Sequence, residues 1–378
     1  MIRSSEQTLY RLDNLNAEQQ RISYQMSTGK ELQQGSDDSG LYAREIYVDD
    51  KISVYTGLKV QIERTTAQND VADSTLGEAK DLVSYIKAEV IKALTATTSD
   101  EGRLAIADNL EGVKENLLTL ANGKVEGEYL FSGSDTSIPA FEKDETTGKV
   151  TYIGNAELRK IAVEDGTYRE RGITGLDTFF YSSSTAYKNE DLTFSDDDRI
   201  FDQDGNEWEL SGTDIVQLDD DGNAISGTEK AVTDDGATPP TYTVNVGSDD
   251  GTKFEAKTNI FDTLDAIVNS LKKVDSSGNP VSDDVAKAEL QTGLDEITEA
   301  YDGMNLGHAK LGGRNKVFEM SYESISAKLT QYDILSQEIG AADLTKVAVE
   351  AKALELTYTA LYSTINKMND LSLVNFIK

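Results

Sequence analysis

The residues of this chain with the clearest potential for chemistry are aspartates, which cluster beside glycines in the stretches DQDGN, DDDGN and VGSDDG. Carboxylates at this density suggest calcium, whose helix–loop–helix site needs Gly at loop position 6 and Glu at position 12. The loop around Gly205 instead has Ile200 at position 1 and Ser211 at position 12. The loop around Gly222 fails at the same two positions. Asp-Gly and Asn supply the positive φ of tight turns, so we predict hairpin turns here.

Catalytic constellations are not evident. His308 is the only histidine, no nucleophile-elbow motif accompanies it, and a lone histidine within a helical pattern is typical of a structural role. Carboxylate pairs suited to glycoside chemistry are too numerous to be informative. Gly-rich phosphate loops are absent. We therefore expect a protein that is not an enzyme, with no cofactor and no metal.

Composition excludes several classes of partner. The chain has 378 residues, of which 68 are acidic and 36 basic, giving a net charge of −32. Nucleic acids and anionic membrane surfaces are disfavoured, because binding to their phosphates requires clustered Lys and Arg. No segment is long and apolar enough to span a bilayer, and the first fifteen residues lack the apolar run of a secretory signal peptide. The absence of cysteine excludes disulfides.

The longest regular pattern runs from Leu290 to Ile339, where apolar residues recur in alternating steps of four and three. Only His308, Asn315 and Ser336 interrupt this seam. The spacing is that of one helix in a left-handed coiled coil. A seam of this length must be buried against a partner, which we expect the rest of the chain to supply.

A second seam of ten positions runs from Ile62 to Ala93, within a helix predicted to end near residue 97. A third helix is predicted after Ser99-Asp100-Glu101-Gly102, ending around Asn122-Gly123. All four prolines lie between residues 139 and 280, which leaves both flanks free to form uninterrupted helices.

Shorter seams mark the two ends of the chain. The first helix is predicted to continue to about residue 34 and to end near Gly35. Ser36 is the expected N-cap of the next helix, with Asp37 and Asp38 in its first turn. After a break near Gly340, a last helix is predicted over residues 343–376.

The middle of the chain has β character. KVTYIGNAELRKIAV (149–163) predicts a hairpin around a Gly154-Asn155 turn. Residues 177–258 contain short β-type runs separated by acidic turns, which predicts an all-β insert that carries much of the negative charge. Helical spacing returns over residues 259–274.

Glycines within the long C-terminal seam are unusual, because each costs a helix about 1 kcal/mol relative to Ala. Gly303, Gly307, Gly312 and Gly313 in AYDGMNLGHAKLGGRN allow two interpretations. One is close backbone approach by a partner helix or a neighbouring subunit, and the other is a kink or short loop. The sequence leaves both open.

Several stretches, taken together and in order, resemble the bacterial flagellin family and, within it, the hook-associated members. They include TGKELQQGSDDSGLYA, ANGKVEGEYLFSGS, VTYIGNAELRKIAVEDG, LGGRNKVFE and the ending LSLVNFIK, so the resemblance covers nearly the whole chain except residues 177–258. The family often has prolines flanking its Ser-Asp-Asp motif, where this chain has Gly35 and Ser39. The residues that carry the signature are Ser36, Asp37, Asp38, Leu130, Phe131, Ser132, Gly133, Gly312, Gly313, Arg314 and Asn315.

The resemblance and the helix lengths imply a mainly α chain folded back on itself, with an all-β insert. Paired N- and C-terminal helices would form coiled-coil rods, with the β-rich domain at the tip. The expected domains are residues 1–38 with 341–378 (terminal coiled-coil assembly domain), 39–176 with 259–340 (helical rod with a β-hairpin region) and 177–258 (outer insert).

The resemblance further implies a structural role at the junction between the flagellar hook and filament. Export would use the flagellar type III apparatus without a cleaved signal peptide. Expected partners are copies of the chain in a ring, a hook-side hook-associated protein, a filament-side flagellin or second junction protein, and an export chaperone.

Assembly would use the terminal helices, which would become fully ordered only against neighbouring subunits. An intramolecular coiled coil with a frayed tail is the simpler alternative. The expected assembly residues are Leu9, Leu12, Leu15, Ile22, Met26, Leu344, Val347, Leu354, Tyr358, Leu361, Ile365, Met368, Leu371, Leu373, Val374 and Phe376. Alternative functions are a flagellin, the bulk filament subunit, and an extracellular adhesin or enzyme that uses the β insert.

Overall fold

The structure is a computed structural model that describes residues 2–95, 97–219, 222–236, 240–247 and 253–376, excluding the side chains of residues 2–5, 8 and 368–376. The chain divides into two compact units, residues 1–60 with 322–378 and residues 61–321. The helices of the described ranges are α1 (Ile2–Thr28), α2 (Ser39–Leu94), α3 (Asp100–Ala121), α4 (Gly175–Thr178), α5 (Ile260–Lys272), α6 (Asp283–Gly340) and α7 (Leu344–Phe376).

The strands are short and lie between α3 and α5. They are β1 (Lys124–Val125), β2 (Glu128–Tyr129), β3 (Phe141–Lys143), β4 (Val150–Tyr152), β5 (Lys160–Glu164), β6 (Thr167–Glu170), β7 (Phe180–Tyr187), β8 (Asp191–Ser195), β9 (Arg199–Asp202), β10 (Glu207–Ser211), β11 (Asp214–Gln217), β12 (Lys230–Ala231), β13 (Thr233–Asp234), β14 (Thr241–Asn245) and β15 (Lys253–Asn259). This order confirms a mainly α chain with a β-rich middle.

The second unit is built on the two predicted seams. All ten seam positions from Ile62 to Ala93 on α2 are at most 3% exposed. On α6 the seam residues Leu290, Met304 and Phe318 are buried as completely. Because steps of four and three keep these residues on one face of each helix, both stripes enter the interior. Helices α3 and α5 complete the same core.

A cluster of aromatic rings continues this core into the region after α3. Phe141 contacts Phe179 edge-on at 5.5 Å between ring centroids and Phe261 at 5.2 Å. Phe131 meets Phe179 at 5.4 Å. Edge-to-face pairs of this kind stabilise a core beyond the area they bury.

The hairpin predicted over residues 149–163 is wrong. Strand β4 pairs with the preceding strand β3, and β5 pairs with the following strand β6 across a turn at Asp165-Gly166. The segment between β4 and β5 instead bonds to Ser132: the Asn155 N–H donates to the Ser132 carbonyl at 3.1 Å. Apolar and polar residues alternate on both sides of the Gly-Asn pair. This pattern is expected for the two strands of one hairpin, and equally for the last strand of one hairpin followed by the first strand of the next.

Strands β7 to β15 confirm a β-rich insert, whereas the boundaries predicted for it, residues 177–258, stay a prediction. A six-stranded sheet has the order β12-β11-β10-β9-β15-β7, and β13-β14-β8 form a three-stranded sheet. The ring centroids of Trp208 and Phe254 lie 5.3 Å apart in the core of the insert. Gly205 and Gly222 of the first two acidic glycine motifs have turn conformations, with φ of +86° and +79°. Most of the third motif, VGSDDG (246–251), lies outside the described residues.

Candidate assembly surfaces

The terminal helices α1 and α7 pack against each other within the first unit. Ile22, Val347 and Leu354 are buried in a small cluster, with Leu15 and Tyr358 packed at its edge. Part of the predicted assembly seam is therefore already filled within one chain.

Polar contacts fix the register of this pair. The Tyr358 hydroxyl donates to Asn16 Oδ1 at 2.6 Å. Arg21 bridges Glu18 at 2.6 Å and Glu350 at 2.8 Å. These two carboxylates raise the pKa of the Arg21 guanidinium. An arginine shared by both helices disfavours sliding of α7 along α1.

Helix α7 carries a second apolar stripe that we did not identify from the sequence. Val349, Ala353, Leu356 and Ala360 recur in steps of four, three and four, two positions beyond the first seam. Two positions correspond to about 200° around a helix, so the two stripes lie on opposite faces. Val349 is 67% and Leu356 63% exposed. The same step count that revealed the first seam would have found this one.

The other predicted assembly residues divide into two groups in this structure. Leu12, Leu361 and Ile365 are half-buried, whereas Leu9, Met26 and Leu344 are more than half exposed. The predictions at Met368, Leu371, Leu373, Val374 and Phe376 concern side chains outside those that the structure describes.

Helix α1 ends earlier than predicted, at Thr28 rather than near residue 34. Gly29 follows with φ of +71°, a conformation that glycine adopts readily and that terminates helices. The chain then forms an antiparallel bridge between Lys30 and Ala341, next to the start of α7. The Thr28-Gly29 pair was the sequence signal for this ending.

The N-cap of α2 is Asp38, so the assignment of Ser36 to this role was wrong. Asp38 Oδ1 accepts from the N–H groups of Gly40 and Leu41, both at 3.0 Å. The Asp37 carboxylate instead faces the residues before it and accepts from the N–H groups of Gln33 and Gln34 at 3.1 and 3.0 Å. Asp37 thus stabilises the preceding turn, and Asp38 caps the first turn of the helix.

The signature Leu130-Phe131-Ser132-Gly133 forms a tightly packed turn. Phe131 is fully buried, and its carbonyl accepts from the Gly175 N–H at 2.7 Å and the Tyr152 hydroxyl at 3.0 Å. Burial raises the pKa of Tyr152, so this phenol stays protonated. Gly133 has φ of +87°, and a Cβ there would lie 2.2 Å from Asn155 Oδ1. Only glycine fits this position.

The second signature, Gly312-Gly313-Arg314-Asn315, lies in the uninterrupted helix α6. Arg314 donates to the Gly172 carbonyl at 3.0 Å, and Asn315 accepts from Asn69 at 2.7 Å. Gly312 and Gly313 are exposed, and a Cβ at either would meet nothing within 4 Å. The interpretation of these glycines as a short loop is wrong, because α6 is continuous through them. Close backbone approach occurs at Gly307, where a Cβ would lie 2.3 Å from the Asp177 carbonyl oxygen, and from within the chain it does not occur at Gly312 or Gly313.

His308 has two polar neighbours. Its Nε2 lies 2.7 Å from Asp73 Oδ1, and its Nδ1 lies 3.4 Å from Lys80 Nζ. Within the described ranges no cluster of three or more His, Asp or Glu side chains could hold a metal ion. No helix of the described ranges has both the length and the apolar character needed to cross a bilayer.

Charge is distributed unevenly between the two units. Residues 1–60 with 322–378 contain 16 acidic and 12 basic residues, whereas residues 61–321 contain 52 and 24. Copies of the near-neutral unit can approach each other with little repulsion. This unit contains the paired terminal helices α1 and α7 and the exposed apolar stripe of α7.

Comparison with known proteins identifies a family whose model matches part of the chain. Residues 3–136 match the bacterial flagellin N-terminal helical region. The family resemblance inferred from the sequence motifs is thereby confirmed, and the chain carries this helical region.

Two curated relatives carry a more specific name than this family region does. The chain is 28% identical over 197 residues to flagellar hook-associated protein 3 of Escherichia coli, covering 50% of this chain and 59% of the relative. It is 26% identical over 187 residues to flagellar hook-associated protein 3 of Salmonella typhimurium, covering 49% of this chain and 58% of that protein. The chain thus spans about three fifths of the length of these relatives.

A solved structure shares the fold. Flagellar hook-associated protein 3 of Legionella pneumophila superimposes with a TM-score of 0.53 and 18% identity. The superposition covers 78% of this chain and 98% of that structure.

Proposed function

We propose that this chain is a structural subunit of the bacterial flagellum that joins hook to filament by assembling through its terminal helices. The observation that carries the proposal is the exposed stripe of α7, Val349-Ala353-Leu356-Ala360, opposite the stripe that packs on α1. An apolar stripe of helical spacing is stable when a second helix covers it. Full burial of a Val or Leu side chain contributes about 1.5–3 kcal/mol.

Neighbouring copies of the chain are the proposed partners for this stripe. Repetition of the contact around an axis would produce a ring, because each copy presents one face and receives another. The near-neutral first unit would lie at the contact. On one side of the ring we expect a hook-associated protein, and on the other flagellin or a second junction protein.

Export belongs to the same proposal. The route is the flagellar type III apparatus, which delivers the chain unfolded to the cell exterior, with a chaperone that covers apolar helices before export. The absence of cysteine is compatible with this route. Support for the junction role over the bulk filament role comes from the names of the two curated relatives, both of them hook-associated proteins.

The test is immunogold electron microscopy of intact cells, with antibody against residues 177–258. We expect label at one spot between hook and filament. Label along the whole filament would make the chain a flagellin. Absence of label from the flagellum, with a control showing that the epitope is accessible, would refute both roles.

A further inference from the structure

A cleft of about 300 Å³ lies between the β5–β6 hairpin and α6, inside the second unit. Tyr168 of β6 lines one wall, and Val317 and the buried Phe318 of α6 line the other. Among the described residues, none of strands β7 to β15 lines this cleft, so the chain's own insert does not fill it. The cleft is thus open to another molecule.

Cationic side chains outnumber anionic ones in the lining of the cleft. The charged lining residues are Lys160, Arg169, Arg314 and Glu170. Arg314 lies 3.6 Å from the Glu170 carboxylate. Lys160 and Arg169 are both exposed, and within the described ranges neither forms an ion pair. Two positive charges of the cleft are therefore available to a negatively charged partner.

The α6 wall belongs to a segment whose charge is unusual in this chain. Residues 303–318 contain three basic and no acidic residues, although nearly one residue in five of the whole chain is acidic. Gly312 and Gly313, immediately before Arg314, are exposed, and a Cβ at either would meet nothing within 4 Å. A segment of a partner can therefore approach the helix backbone closely beside these cations.

The chemistry of the lining favours carboxylates carried on a peptide. The guanidinium of Arg169 presents paired N–H donors that match the two oxygens of a carboxylate. Tyr168 is 61% exposed and adds a hydroxyl donor together with the face of its ring. Val317, 39% exposed, offers apolar surface to the stems of bound side chains. An acidic peptide segment fits this mixture better than a free inorganic anion does.

We propose that the cleft binds the acidic insert of a second copy of this chain. Residues 177–258 contain 20 acidic and 5 basic residues, a charge opposite to that of the cleft. The insert carboxylates of Asp196, Asp204 and Glu209 are exposed, and within the described ranges they form no ion pair. A chain with a net charge of −32 repels a second insert over most of its surface, so the cleft is where an insert can be accepted. This contact lies in the second unit and is additional to the one made by the α7 stripe.

The contact should be weak and should depend on ionic strength. Exposed ion pairs each change an affinity by about fivefold at most. At 0.1 M salt the screening length is about 10 Å, which damps the repulsion between distant charges of two copies but preserves the attraction between groups in contact. At 1 M it is roughly 3 Å, so the contact pairs are weakened as well.

The experiment replaces Val317 with the photoreactive residue p-benzoylphenylalanine in the full chain. Irradiation is carried out in solution at about 1 mM protein, the effective concentration that tethered sites typically reach. Denaturing electrophoresis separates cross-linked dimers from monomers, and mass spectrometry identifies the linked peptide. We expect dimers at 0.1 M salt, linked to a peptide of residues 177–258, and several-fold fewer dimers at 1 M.

Lys160→Glu combined with Arg169→Glu should reduce the yield of dimers about fivefold or more, because two attractive pairs become repulsive. The matched control is Arg44→Glu with Lys287→Glu, which changes the net charge equally at two exposed residues outside the cleft and should keep the yield. Far-UV circular dichroism verifies that every variant is folded. Absence of dimers at 0.1 M salt, an equal yield in the cleft variant, or a link to a peptide outside residues 177–258 would overturn the proposal.

Discussion

Asn69 and Asn315, separated by 246 residues in the sequence, are joined by a hydrogen bond of 2.7 Å from the Asn69 amide to the Asn315 side-chain oxygen. Both occupy seam positions that are otherwise mostly apolar, and Asn69 is 3% exposed. A buried amide pair in such a seam specifies register. If α2 slid by one heptad relative to α6, both amides would be left without a partner.

Replacing one member of this pair should therefore cost more than replacing both. We expect Asn315→Ala to lower the free energy of unfolding by about 1–3 kcal/mol, because the Asn69 amide stays buried without its partner. Asn69→Leu with Asn315→Leu should recover most of that loss. Chemical denaturation followed by circular dichroism measures both, with the exposed Asn116→Ala as control. Equal losses in the single and double variants would show that the pair does not act as a unit.

Two glycines of α6 should respond in opposite directions to the same change. A Cβ at Gly307 would lie 2.3 Å from the Asp177 carbonyl oxygen, whereas one at Gly312 meets nothing within 4 Å. We expect Gly307→Ala to destabilise by about 1–3 kcal/mol through overpacking. Gly312→Ala should stabilise by up to about 1 kcal/mol through helix propensity. Thermal unfolding of the two variants decides the matter.

The exposed glycine also tests the assembly role of α6. Gly312→Leu should leave the monomer folded but impair assembly, because a large side chain prevents close approach by a neighbouring subunit. Helicity of the monomer and flagellar motility of complemented cells are the two measurements. Parallel loss of both would favour a folding role for this position.

The two faces of α7 allow a matched comparison between neighbours. Leu354 is 9% and Leu356 63% exposed. Leu354→Ala should weaken the packing of α7 on α1 by roughly 2 kcal/mol. Leu356→Ala should change the free energy of unfolding by less than about 0.5 kcal/mol, yet reduce incorporation into the flagellum. Incorporation of Leu356→Ala at the unsubstituted level would remove the outer stripe from the assembly contact.

Stability should fall as pH rises from about 4 to about 7 because of Asp262. Burial, followed by repulsion from Asp197, raises the pKa of this carboxyl to about 7. The folded state therefore holds the proton more tightly than the unfolded chain, whose carboxyl titrates at about 3.9. The contribution of Asp262 to stability is full below about pH 4 and is lost between about pH 4 and 7.

Asp262→Asn should flatten this part of the stability profile and raise the free energy of unfolding at pH 8. The contrasting variant is Asp265→Asn, one turn further along α5, which removes the partner of Lys114 at 2.5 Å and should destabilise at pH 8. Because the Asp265 charge also raises the pKa of Asp262, this variant should shift the profile to lower pH rather than flatten it. Urea unfolding at intervals between pH 4 and 8 provides the profiles. An unchanged slope in Asp262→Asn would assign the pH dependence to another group.

Local periodicity predicted the long helices well. The burial of every seam position from Ile62 to Ala93 follows from spacing alone, because a helix places those residues on one face. The β character of the middle of the chain was likewise recognisable from its turn residues. The prediction of an assembly role came from the family motifs, because spacing does not encode it.

Errors arose where competing signals lay close together. Ser36 and Asp38 are both acceptable N-caps by type, and the hydrogen bonds of Asp37 to the preceding turn decided between them. Gly154-Asn155 has the composition of a hairpin turn, but its backbone is used by the 132–134 segment. Neither local stretch shows that a distant segment will take up these backbone hydrogen bonds.

The position of β7 explains one property of the insert that turn chemistry does not require. Over its eight residues, FYSSSTAY, this strand carries no charged residue and no proline, and it forms the outer edge of the six-stranded sheet in the described part of the insert. Such an edge is a template for joining the sheet of another molecule. The surrounding residues 177–258 contain 20 acidic and 5 basic residues, so two inserts repel each other before their edges can meet. The acidity of the insert thus acts as a colloidal barrier against fibril-like stacking, one that concentrated salt would lower.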